Sequence, residues 1–397
     1  MNQSYSLPGP ANVSRTTLAN GITILVRNNP NSPSASLSGY LTTGSLFDSD
    51  EKLGRSTFAT ASLMRGTKTR TFDQIYDALE SVGASFGFAA GTHTTGFNGR
   101  CLAEDLPLLF DLLANSLLQP TFPVDEVEKL RNQLMTGLAL RAQDTGEMAA
   151  LTFDQLIYQD HPYGRPDDGY PETIRRISRD DLFEFHDSTF SPIGMTLAVV
   201  GAVEPDAVIR FVEQFLGDWQ KIPPSAPDLP VIGPLQKTTR KHIPLAGKSQ
   251  TDLMVGVLGP CRKDPEYMAA SLGNSVLGQF GMMGRIGDIV REQSGLAYYA
   301  SSNLSAGTGP GTWEVSAGVN PSNLDKALKL ITKEIDRLTK DGVSPEELLD
   351  SQDHYVGRLP LSMESNAGIA SALMNIERHN LGLDYYLRYE ELVRSVT

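Results

Sequence analysis

Two side chains seven residues apart stand out in the run "DIVREQSGLAYYASS": Arg291 and Tyr298. A guanidinium fork and a phenol are both hydrogen-bond donors, suited together to a carbonyl oxygen that is gaining negative charge. Gly295 lies between them, so a helix carrying Arg291 can end there and turn into a strand carrying Tyr298. Such a turn can aim both tips at one place. On residue type alone, an ordinary surface arginine and a core tyrosine would look the same. Tyr299 is the next residue if the register is shifted by one.

A second stretch, "GRSTFATASLMRGT" at residues 54–67, has the opposite character. It reads as a helix, yet it holds no His, Asp, Glu or Cys to ligate zinc or move a proton at neutral pH. Phe58, Ala61 and Met64 fall near one face, and Ala59 and Leu63 form another apolar pair, so the helix is expected to be largely buried. The six histidines are His93, His161, His186, His242, His354 and His379, and no two stand at i, i+4. His161 sits in the turn "DHPYGRP" and reads as structural. Cys101 and Cys261 have no second thiol or close His beside them and make no disulfide framework. No G-x-S-x-G, Walker loop or G-x-G-x-x-G opens a helix after a strand. The glycine-rich "VLGQFGMMGRIGDIV" lacks the Lys-Ser/Thr pair that a phosphate cradle needs.

The elements that must position these residues come in two similar sets. The chain has 397 residues, enough for two or three domains. Residues 221–235, "KIPPSAPDLPVIGPL", hold five prolines and read as a linker between residues 1–220 and residues 236–397. In the first part, "TTLANGITILVRN" reads as a hairpin turning at Asn20-Gly21, and "SASLSGYLTTGS" as a strand. "TDLMVGVLGP" takes that strand's place in the second part. Two helices follow in each part, the second ending at Gly83 or Gly295, which suits a left-handed cap. Two strands come next, then an amphipathic helix, then a further long helix. The long helix of the second part opens with a capping box from Ser344 to Glu347. "ETIRRIS" at 172–178 matches "ELVRSVT" at 391–397. Only the first copy leads on to a helix and the strand "MTLAVVGAV". By this repeat logic the chain is expected to be truncated by roughly 25 residues.

The fold class expected is therefore α+β: two homologous domains, each a mixed, mostly antiparallel sheet with flanking helices, joined by a Pro-rich linker. The net charge of −13 argues against nucleic acid and against an anionic membrane surface as partner. No apolar run approaches the roughly 20 residues that span a bilayer. The opening residues lack a charged segment followed by an apolar core, so no signal peptide is expected. These features give a cytoplasmic setting as the expectation.

Across nearly its whole length the chain resembles insulinase-type peptidases of the pitrilysin, or inverzincin, family, in the bacterial branch similar to mitochondrial processing peptidase subunits. Active members carry a helix G-x-x-H-x-x-E-H-x-x-x-x-G-T. Here Gly54 and Gly66-Thr67 keep that frame, but Thr57 stands at the first His, Thr60 at the general-base Glu and Ala61 at the second His. For the family's third ligand, a Glu on a later helix, "EKLRNQLMTGLALR" offers only Thr136 or Gly137. No bound zinc is therefore expected in this chain. The run containing Arg291 and Tyr298 matches the family's R-E-x-x-G-L-A-Y signature. The resemblance implies that this pair reaches across to a zinc site, binds the substrate backbone and polarises the scissile carbonyl. "HPYGRP" and "FSPIGMTLAVVGAV" also match, with Gly194 where the family usually has Asn. The glycine-rich "GQFGMMG" and "SAGTGPGTW" can be substrate-receiving segments, as in processing-peptidase relatives, or simple turns.

The resemblance implies a non-catalytic subunit that supplies Arg291 and Tyr298 in trans. Its partner would be a homologous subunit with an intact H-x-x-E-H helix and the zinc, closing with it as a clamshell around a peptide. The alternatives are a structural subunit of a larger complex and a homodimeric peptide-binding pseudo-peptidase.

Overall fold

A computed structural model describes the backbone of residues 6–397 and every side chain among them but that of Met282. The elements before the Pro-rich stretch are β1 (Ser14–Thr17), β2 (Thr23–Asn28), β3 (Ser34–Leu41), α1 (Arg55–Ser62), α2 (Phe72–Ser81), β4 (Ser85–Ala90) and β5 (Thr95–Leu102). Then come α3 (Leu106–Leu118), α4 (Val124–Arg141), α5 (Thr145–Tyr158), α6 (Pro171–Arg176), α7 (Arg179–Thr189), β6 (Thr196–Gly201) and α8 (Pro205–Leu216). No helix or strand occurs from there to β7 (Thr251–Leu258). It is followed by α9 (Tyr267–Gly278), α10 (Phe280–Gly287), β8 (Ala297–Leu304) and β9 (Thr312–Val319). The chain closes with α11 (Leu324–Asp341), α12 (Pro345–Ser362), α13 (Asn366–His379) and α14 (Tyr389–Arg394).

The chain forms two compact units, each built from three stretches of sequence. The first contains residues 6–138, 166–228 and 360–387, and the second contains 139–165, 229–359 and 388–397. The proline-rich stretch thus separates the two sheets but not all the helices. Helix α5, from the first half of the sequence, packs on β7 in the second unit, and α13, from the second half, packs on β3 and β6 in the first. Asn366, the first residue of α13, donates to the Ser34 carbonyl at 3.0 Å, and Arg15 pairs with Glu377 at 2.9 Å. Local sequence patterns show that α13 has an apolar face; they do not show which sheet it covers.

The first unit holds a six-stranded sheet in the order β1-β2-β6-β3-β5-β4. It is mixed: β2 and β6 run parallel and the other neighbours antiparallel. All of β6 is buried, as its Val-rich sequence requires of a central strand. Asn20-Gly21 turns the β1–β2 hairpin, and the Asn20 side chain donates to the Leu216 carbonyl at 2.8 Å. Phe58, Leu63, Phe97, Phe110 and Phe185 lie in the core beneath this sheet.

The second unit holds an antiparallel three-stranded sheet in the order β7-β9-β8. Its core gathers Leu253, Ile286, Val290, Ala300, Val315 and Ile331. The expected helix ends occur at Gly83 and Gly295, with φ of 63° and 59°. The capping box on α12 also forms: Glu347 accepts from the Ser344 N–H at 2.8 Å, and the Ser344 hydroxyl accepts from the Glu347 N–H at 3.2 Å.

Candidate functional site

Helix α1 begins where a buried carboxylate gathers its unpaired N–H groups. Asp48 accepts from the Gly54 N–H at 3.1 Å, the Ser56 N–H at 3.0 Å and the Ser56 hydroxyl at 3.0 Å. Burial raises the Asp48 pKa to about 7, opposed by the Ser56 bonds, the Arg55 charge and the Gly54 bond. The carboxyl group lies at the positive end of the helix, where its charged form complements the backbone dipole.

The three positions on α1 that matched the metal frame make structural hydrogen bonds or none. Thr57 donates its hydroxyl to the Asp167 carbonyl at 2.6 Å. The Asp167 carboxylate in turn accepts from Ser45 and, at 3.2 Å, from Thr92. Thr60 is buried and its hydroxyl lies 3.4 Å from that of Thr95. Ala61 offers a methyl group. On α4, Thr136 is exposed and donates to the Asn132 carbonyl one turn back at 2.9 Å. A zinc ion does not fit this set. Zinc takes thiolate, imidazole or carboxylate donors, whereas here each hydroxyl is neutral and bonded to a neighbour. Among the described residues no group of three or more His, Cys, Asp or Glu side chains is placed to hold a metal ion.

Arg291 and Tyr298 belong to the second unit. The helix carrying Arg291 widens after α10 into a π-helical turn at Asp288–Glu292. Single π turns inside helices occur frequently at functional sites. The turn closes through bonds from the Gly295 N–H to the Arg291 carbonyl and from the Leu296 N–H to the Val290 carbonyl, both 3.0 Å. Gly295 takes the left-handed conformation that this stop needs. Val290 is fully buried on the inner side of the helix, while Arg291 is half-exposed with Nε 3.5 Å from the Glu292 carboxylate.

The helix itself is anchored through Arg285. Its guanidinium grips Glu347 at the start of α12 with two bonds, 2.7 and 2.5 Å, and donates to the Gly342 carbonyl at 3.2 Å. The Arg285 hydrogen bond, opposed by burial, lowers the Glu347 pKa to about 2.

Tyr298 is 86% exposed, an unusual position for a tyrosine inside a strand. The pairing of β8 with β9 shifts there, with Ala297 opposite Val319 but Tyr299 opposite Gly318. Tyr298 is therefore the extra residue of a β-bulge. The next residue behaves differently: the Tyr299 phenol donates to Asp252 at 2.6 Å. Burial, with that bond and the Asp252 charge, raises the Tyr299 pKa.

Asp48, Asp167 and Asp252 were not singled out by the sequence reading. Asp48 had a local signal, an acidic residue just ahead of a helix start. Asp167 and Asp252 act over 110 and 47 residues of chain, and nothing local marks them.

The family model described as Insulinase (Peptidase family M16) matches residues 23–165, and the one described as Peptidase M16 inactive domain matches residues 176–354. The chain is 28% identical over 392 residues to an uncharacterized zinc protease of Mycobacterium leprae, covering 97% of this chain and 86% of that one. It is 27% identical over 371 residues to an uncharacterized zinc protease of Streptomyces coelicolor, covering 92% of this chain and 80% of that one. The crystal structure of a peptidase M16 inactive domain from Pseudomonas fluorescens superposes with a TM-score of 0.86 at 26% identity, covering 97% of this chain and 92% of that one. A protease from Helicobacter pylori shares the fold, with a TM-score of 0.88 at 18% identity over 99% and 94% of the two chains. With family models matching both halves and solved relatives spanning nearly the whole length, the chain belongs to the insulinase (M16) peptidase family.

Proposed function

We propose that this chain is the non-catalytic subunit of a two-chain zinc peptidase, and that Arg291 and Tyr298 hold the scissile carbonyl of a peptide in trans. The observation that carries this reading is a contrast. The metal-ligand positions Thr57, Thr60 and Ala61 hold side chains that cannot ligate zinc, while Tyr298 presents a free phenol to solvent beside the turn that carries Arg291. A homologous partner with an intact H-x-x-E-H helix would carry the zinc and the general base. This chain would orient the carbonyl and stabilise its developing charge by two donors. Strands β1 and β4 end the first sheet, and β7 and β8 end the second, among the described residues. An extended peptide can add to such an edge through main-chain bonds. No helix among the described residues is long and apolar enough to cross a membrane. The free thiols Cys101 and Cys261 suit a reducing, cytoplasmic setting.

The test is reconstitution. The chain is purified alone and with a candidate zinc-bearing relative, and assembly and peptide cleavage are followed by size-exclusion chromatography and a peptide assay. Cleavage is expected only in the mixture and should collapse with Arg291→Ala while assembly persists. Full activity with both Arg291→Ala and Tyr298→Phe would overturn the proposal. So would cleavage by this chain alone after chelation and repurification.

A further inference from the structure

Within β8, Ala300 and Ser302 are buried and Asn303 is exposed. In a regular strand, residues two apart share a face. Tyr298 has the parity of Ala300 and Ser302, so an unbroken strand would turn its side chain towards the core. The bulge between Ala297 and Tyr299 breaks that alternation, and Tyr298 is exposed. A bulge leaves ladder groups unpaired and is kept only where other contacts hold it.

Those contacts lie in a single row across the sheet. Tyr299 stands opposite Gly318 on β9, and Gly318 stands opposite Asp252 on β7. The Tyr299 ring passes over Gly318, where a Cβ would come within 2.5 Å of it, and reaches Asp252. Asp252 is itself held by Thr145 at the start of α5 and by Gln250 at 2.9 Å. A side chain at position 318 would close this path.

We infer that Asp252 is a positioning residue: by holding Tyr299 across Gly318 it fixes the bulge that presents Tyr298. The inference deepens the proposed function and rests on it for its meaning, although the bulge can be tested without any partner. Tyr298 here is the donor that touches substrate. Asp252 and Tyr299 act only through it.

The experiment uses the full chain and tetranitromethane, which nitrates exposed tyrosines, with peptide mapping by mass spectrometry. In the unmodified chain Tyr298 is expected to react and Tyr299 to be spared. Asp252→Leu and Tyr299→Phe should each lose label at Tyr298, while Asp252→Asn, which keeps an acceptor for the phenol, should retain it. Buried Tyr40 reports global unfolding, which would raise its labelling. Should Asp252→Leu unfold, Tyr299→Phe decides alone, since it removes one hydroxyl and keeps the ring. Undiminished label at Tyr298 in Tyr299→Phe, with Tyr40 protected, would overturn the inference.

In the reconstituted complex, Asp252→Leu should lower kcat by about 10²-fold with KM little changed, as a misplaced donor does, and Asp252→Asn should restore it. If the label moves as expected while Tyr298→Phe leaves the complex fully active, the bulge inference stands and the proposed function falls. If the label does not move while Tyr298→Phe disables the complex, the reverse holds.

Discussion

Helix α1 and the turn between α10 and β8 hold the residues on which the proposed function rests, and the two are built in opposite ways. In α1 the hydroxyls bond to neighbouring groups: Thr57 to the Asp167 carbonyl, Ser56 to Asp48, Ser62 to the Phe58 carbonyl. At the turn, neighbouring groups are arranged so that one side chain stays free. Tyr299 is bonded and Tyr298 beside it is not. The first arrangement is a solution for packing. The second keeps an apolar ring in solvent, an arrangement that a sheet optimised for burial alone would avoid.

The comparison breaks most sharply at the turn. Arg291→Ala or Tyr298→Phe should slow the reconstituted complex about 10²–10³-fold, the usual cost of losing one oxyanion donor. Both residues are exposed or half-exposed, so the urea midpoint of the isolated chain should move by less than about 0.5 kcal/mol equivalent. A large fall in stability with unchanged kcat would make these residues structural and the two regions alike.

At α1 the reverse is expected. Asp48→Ala would strand the Gly54 and Ser56 donors inside the protein. Each unsatisfied buried group costs about 1–3 kcal/mol, so the variant should unfold at clearly lower urea with an unchanged m-value. Thr57→Val is milder. It keeps the shape and leaves the Asp167 carbonyl without its 2.6 Å donor, at a cost of about 1 kcal/mol. Neither variant should change nitration at Tyr298.

Much of this was legible in the sequence because it is local. Asn20-Gly21 marked a hairpin, Gly83 and Gly295 marked helix ends, and Ser344 with Glu347 marked a cap. The lack of any His, Asp, Glu or Cys in residues 54–67 was equally plain, because it needs no knowledge of distant segments. What was not legible depends on pairing between distant segments. The bulge at Tyr298 is set by Asp252 and Gly318, and strict alternation alone would have pointed this tyrosine inward. The exchange of α5 and α13 between units is likewise invisible to any periodicity, since an amphipathic helix does not encode the sheet it covers.

The smallest effect compares the two long helices directly. Glu126 in α4 and Glu347 in α12 each occupy the third helical position, and each meets an arginine, Arg65 at 3.3 Å and Arg285 through two bonds. The Lys129 hydrogen bond, against some burial, lowers the Glu126 pKa, with Arg65 adding to it. The Arg285 bond lowers that of Glu347 to about 2. A carboxylate whose folded pKa lies below its ordinary value of 4.5 contributes stability above that value and loses it as pH falls towards about 2. The Arg285–Glu347 pair is partly exposed, so its worth is about 1 kcal/mol. Unfolding measured from pH 7 down to about pH 2 should therefore show Glu347→Gln losing stability at neutral pH and converging on the unmodified chain in acid. Glu126→Gln, which breaks a looser contact, should converge from a smaller offset. Equal offsets would mean that the tighter grip on the Arg285 helix adds nothing to its hold on the turn.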